Sequence, residues 1–245
     1  MRKVGIAAIA ALTLSGCVTN ETVSFRASNP NQQAIMRDGQ SALVSRQKNS
    51  IVLVRPASRQ IASGGRPVFV VGINNISPQP VNFMVSQVDA QQMVGQQAYA
   101  MQVITYEQLA QEERNAQVAR AVLVGLAAGA NAYGASRTGY GTYTTPRGRT
   151  GTYYSPVANQ IAQNRAAYQN EAMISATIEQ GQSNLAALEQ EVMKDNTLMP
   201  GEWYGGQLHL APPAETSGSP SKNYVLTLQI GPDRHIIDVS QGPAR

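Results

Sequence analysis

Apolar positions follow two rhythms along this chain. Short β-branched runs at 51–54, 68–73, 81–88 and 99–105 are separated by Ser63-Gly64-Gly65, Asn74-Asn75 with Pro78 and Pro80, and Gly95. Val81, Phe83 and Val85 alternate with polar or smaller side chains, which predicts strands with one buried face. From residue 106 the rhythm lengthens. Leu109, Ala116, Ala119, Leu123, Leu126, Ala130 and Tyr133 recur at steps of seven, three, four, three, four and three, a heptad seam. Ile174, Ile178, Gly181, Leu185, Leu188 and Val192 repeat it within 156–194. Strand signals return at 203–211, 224–230 and 235–239, the last two joined by Gly231-Pro232-Asp233-Arg234.

The expected fold class is therefore α+β. An antiparallel β-sandwich-like domain is built from 50–105 and 195–240, and a long antiparallel helical hairpin, 106–194, is inserted between its halves. Two separate small sheets are the alternative. One sandwich is favoured because neither half alone buries much core. Gly125-x-x-x-Gly129 faces close packing, with Gly181 as its counterpart on the second helix. Oligomerisation through this glycine face is the competing use. Residues 17–49 are polar and read as a tether, with a short strand at 23–26, able to extend to roughly 100 Å.

Charge changes the picture most at the hairpin tip, 134–155. Charged residues are only 14% of the chain, yet residues 114–170 contain six arginines, six tyrosines and no Asp, Glu or Lys. Arginine offers bidentate donation to phosphate or carboxylate, and tyrosine a flat face for sugars or rings. Arg137, Tyr140, Tyr143, Arg147, Arg149, Tyr153 and Tyr154 are the candidate partner-binding set. An envelope protein or an anionic glycan is the expected partner, and nucleic acid is disfavoured. The competing reading is a flexible connector with solvated charges.

The N-terminus bears on location. Arg2 and Lys3 precede an apolar run, residues 4–14, too short to span a bilayer and of the length of a signal-peptide core. It ends in Leu14-Ser15-Gly16-Cys17, which resembles the lipobox of bacterial lipoproteins. That resemblance implies a signal peptide over 1–16 and a covalent lipid on Cys17, the only cysteine. With Val18 rather than aspartate after it, the resemblance implies the outer membrane; a periplasmic orientation is the expectation, with the outer surface as the alternative. Loss of Arg2 and Lys3 would lower the formal charge from +4 to +2.

The catalytic inventory is thin. His209 and His235 are the only histidines, each within an expected strand, and no nucleophile elbow, phosphate loop or paired-carboxylate signature occurs. No metal or cofactor is expected beyond the lipid on Cys17. The expected function is a non-catalytic outer-membrane lipoprotein acting as an interaction module. The alternative is an envelope hydrolase with a site near His209 and His235.

Overall fold

The computed structural model describes residues 20–37, 39–213 and 221–243. The expected signal segment 1–16 and the expected lipid site Cys17 lie outside them. In chain order the strands before the helices are β1 (Asn20–Arg26), β2 (Gln32–Arg37), β3 (Gln40–Arg46), β4 (Ser50–Pro56), β5 (Ile61–Ala62), β6 (Val68–Asn75), β7 (Val81–Phe83), β8 (Val88–Val94), β9 (Gln97–Met101) and β10 (Val103–Ile104). Helix α1 (Tyr106–Arg137), strands β11 (Tyr140–Thr144) and β12 (Thr150–Tyr154), and helix α2 (Pro156–Glu191) follow. The chain then forms β13 (Asn196–Leu198), β14 (Trp203–Leu210), β15 (Lys222–Ile230) and β16 (Asp233–Pro243).

Among the described residues the fold is mixed, with antiparallel sheets and two α-helices. One six-stranded sheet has the order β5-β1-β16-β15-β8-β9 and the other β10-β14-β6-β4-β3-β2. Both halves of the chain enter both sheets. Alternation along the strands sends one row of side chains inward: β4 buries Ser50, Val52, Val54 and Pro56, and β16 buries Asp233, His235, Ile237, Val239 and Gln241. Inward rows of the two sheets meet in one apolar core, where the Phe25 ring stands edge-on to Phe69 at 6.3 Å. The β15–β16 connection is only Gly231-Pro232, with Gly231 at φ 54° and its Cα too close to Val81 to carry a side chain.

The expected tether is corrected here. Residues 20–46 supply three strands, and β1 pairs along its length with β16. In β1 the buried positions are Glu21, Val23 and Phe25, so a polar inward residue and polar outward neighbours mask the alternation. Only two residues, Val18 and Thr19, separate Cys17 from Asn20, about 10 Å of chain at most.

Polar latches close the two ends of the core. At one end the Ser50 hydroxyl donates to Asp233 at 2.8 Å, and the His235 ring lies 2.8 Å from the Ser50 hydroxyl and 2.9 Å from that of Ser45. This joins β16 of one sheet to β3 and β4 of the other. At the other end Lys222 donates to both oxygens of Glu21 at 2.8 Å, Gln241 donates to Glu21 at 2.7 Å, and Tyr224 donates to Gln241 at 3.0 Å. Burial alone would raise the Glu21 carboxyl, but its bonds to Lys222, Ser63 and Gln241 hold it below its ordinary value.

Candidate functional site

The helices begin on local signals. Thr105 caps α1 in a reciprocal box with Gln108, and Ser155 caps α2 ahead of Pro156. At the root, Ile104, Leu109 and Val192 form a small cluster beside the main core, and Met193 enters that core. Arg66 holds Glu112 through two bonds of 2.6 and 3.0 Å. Lys194 pairs with Glu189 and lies 4.1 Å from the centre of the Tyr106 ring.

Beyond the root the helices run antiparallel, and among the described residues the hydrogen bonds and ion pairs of 114–180 stay within the helices and the β11–β12 ribbon or reach Glu113. The seam between the helices is polar and small. Glu113 accepts from Arg120 at 2.8 Å and from Asn184 at 3.0 Å. Gln117 lies on Gly181, where a Cβ would come within 2.5 Å of its amide nitrogen. Asn131 donates to Asn170 at 3.1 Å, and Asn170 donates to the Ala128 carbonyl at 3.1 Å. Asn159 donates to the carbonyls of Ala135, Ser136 and Thr138, closing the C-terminus of α1.

Leu109, Leu188 and Val192 of the expected heptad seam pack together at the root, but beyond it the expectation is overturned. Leu123, Leu126 and Tyr133 are 65%, 68% and 64% exposed, and Ile174 and Ile178 also face outward. Of the glycine set, only Gly181 packs against the other helix, and it meets Gln117 rather than the glycines; nothing beyond the helix's own backbone lies within 4 Å of the Cβ position at Gly125 or Gly129. Side-chain amides and small residues win the contact because they can bond to each other and allow close approach, leaving the apolar stripe outside.

The tip is a two-stranded ribbon. Tyr140 pairs with Tyr154, Gly141 with Tyr153, and Tyr143 with Gly151. The Tyr153 ring covers Gly141 and the Tyr143 ring covers Gly151, each filling the space a Cβ would need. Tyr140 and Tyr154 stack on the other face with centroids 4.8 Å apart. The expected tyrosines are thus brought together, two to a face, and all four stay half-exposed. Arg147 and Arg149 lie exposed in and beside the turn, which closes through Thr145. Arg137 reaches back over Tyr133, 5.4 Å from its ring centre, and donates to its hydroxyl at 3.1 Å. Between the far ends of the helices lies an open groove of ≈ 580 Å³ lined by Ala130, Gly134, Ala158, Ile161 and Arg165.

The two histidines keep different company. His235 is fully buried between Ser45 and Ser50, and burial lowers its pKa to about 4 against an opposing pull from Asp233. His209 sits in the other sheet. Burial and then Arg66 lower its pKa, with Glu191 and Glu112 acting the other way. No hydrogen bond joins the two among the described residues. Nor do three His, Cys, Asp or Glu side chains gather there as a metal-binding group. The polar helix seam went unread in the sequence, although Gln117 and Asn131 lie fourteen apart and Asn159, Asn170 and Asn184 eleven and fourteen apart, whole numbers of helical turns. No family model matches this chain, and neither does any curated protein or solved structure.

Proposed function

We propose that the protein is a non-catalytic outer-membrane lipoprotein that acts as an interaction module of the cell envelope. In this reading the two sheets form a β-sandwich body, the helices are a hairpin inserted in it, and the Arg/Tyr tip contacts a protein assembly or an anionic glycan. The lipid on Cys17 holds the body at the membrane, facing the periplasm.

The observation that carries the reading is the division of labour at the tip. The ribbon orders four tyrosines on a scaffold that spends its own bonding on the helix seam, and it leaves Arg147 and Arg149 without carboxylates nearby in sequence. Helices of 32 and 36 residues give the arm a length of about 50 Å, enough to present the tip well away from the body.

The test is a pull-down from crosslinked envelopes. The full protein is compared with one in which residues 137–155 are replaced by a short glycine-serine turn. Crosslinked partners are expected to disappear with the tip. An unaltered profile would leave the ribbon a passive connector.

A further inference from the structure

The outer face of α1 is unaccounted for by the body or the tip. Val118, Val122, Leu126 and Tyr133 lie at steps of four, four and seven, on the side of the helix opposite Gln117, Arg120 and Asn131. They are 58–68% exposed. Gly125 and Gly129 share that side with nothing over them. An 18-residue window of α1 is long and apolar enough to cross a membrane, yet only 6% of it is buried. A continuous apolar face of this kind is a contact surface in want of an occupant.

We propose that this face lies on an anionic lipid surface, the arm resting along the bilayer. The inference goes beyond the tip reading and does not depend on the tip's partner. Charge selects the occupant. Arg114 and Arg137 bracket the stripe, and no acidic residue occurs until Glu171. A second copy would set these arginines against their equals in the same acid-free segment. An anionic bilayer supplies both an apolar depth for Val122 and Leu126 and negative charge for the arginines. Tyr133, with a polar end on an apolar ring, suits the headgroup level.

The position of the arm's root agrees. Asn20, 20th in the chain and the first described residue, pairs with Ala62 of β5. The neighbouring Glu21 accepts from Ser63 at 2.7 Å, and Arg66, three residues on, grips Glu112 in the second turn of α1. Asn20 therefore lies at the corner where the arm begins. The arm lies along the bilayer and does not cross it, because Asn164, Arg165 and Gln169 are exposed on α2 alongside.

The test uses the full chain without acylation, Cys17→Ser, and the same chain with Val122→Ser and Leu126→Ser. Both are sedimented with phosphatidylglycerol vesicles and with phosphatidylcholine vesicles. The parent is expected to bind phosphatidylglycerol, to lose binding in high salt, and to bind about tenfold or more tightly than the double variant. Circular dichroism checks that the helices persist. In a second arm, Leu126→Cys supplies the sole thiol of the Cys17→Ser chain for an environment-sensitive dye, whose emission is expected to shift blue on phosphatidylglycerol. Equal binding by parent and double variant, equal binding to both lipids, or an unshifted dye overturns the proposal. So does self-association in the ultracentrifuge that the double variant abolishes, which would put a second copy on the stripe. The tip test reads protein crosslinks and this one reads vesicles, so either can fail alone.

Discussion

The body and the arm solve opposite packing problems. The body puts apolar side chains between its sheets and ties polar groups into two latches at the ends of that core. The arm puts its polar groups between the helices and its apolar ones outside. The first arrangement draws stability from burial in water. The second can be self-consistent only where something other than water meets the outer face, or where the helices are held by their root and their amide bonds. The body is thus the stable part and the arm the adaptable one.

The sharpest way to break that contrast is a large-to-small change in each region. Phe69→Ala removes a fully buried ring and is expected to cost about 3–5 kcal/mol, while Leu126→Ala on the arm is expected to stay within about 0.5 kcal/mol. Urea melts read by circular dichroism compare them. Similar losses would mean that the stripe is covered within the free protein.

The His235 latch sharpens the contrast through pH. Its folded pKa of about 4 lies below the unfolded value near 6.5, so the unfolded chain binds the proton first. Stability is expected to fall as pH drops from about 6.5 to 4, by up to about 3 kcal/mol. Glu21 and Asp233, both held below their ordinary values, add losses at still lower pH. His235→Gln should flatten the 6.5-to-4 interval in the body's melt. A parent profile already flat there would show the ring to be solvated.

On the arm, Gly181→Leu drives a side chain into Gln117. It is expected to destabilise the helix pair by about 1–3 kcal/mol, seen as an earlier helical transition with the β transition unmoved. A single merged transition would show that arm and body unfold together. Smallest in stability is Arg137→Gln, Arg147→Gln and Arg149→Gln combined, within about 0.5 kcal/mol, together with weaker, salt-sensitive envelope crosslinking. A large loss of stability would mean that these side chains are structural.

Much of this was legible in the sequence, and the failures have physical causes. Strands β4, β6, β14 and β15 announced themselves because their inward rows are apolar. Strands β2 and β3 did not, because Gln32 and Ser45 point inward and are buried. The helices were readable from period and composition, and their contact face was not. Hydrophobic periodicity locates a seam only if the seam is the apolar side, and here Gln117, Asn131, Asn159 and Asn170 occupy it. The tip residues were found from charge and aromatic content. Their ordering into a ribbon depends on Tyr143 and Tyr153 lying across from Gly151 and Gly141, a pairing visible only once the register is known.

The pairing of β1 with β16 also governs when the protein can fold. Glu21 finds Pro243 across the ladder, so β1 waits for β16, more than 200 residues later. During synthesis the edge of β1 that meets β16 must wait while those residues follow it, and closing such a long-range contact is slow. The helices need only neighbours in sequence and can form first. An exposed β edge held open that long invites pairing with other chains, so a holdase chaperone is expected to matter more for this protein's yield than for its final stability.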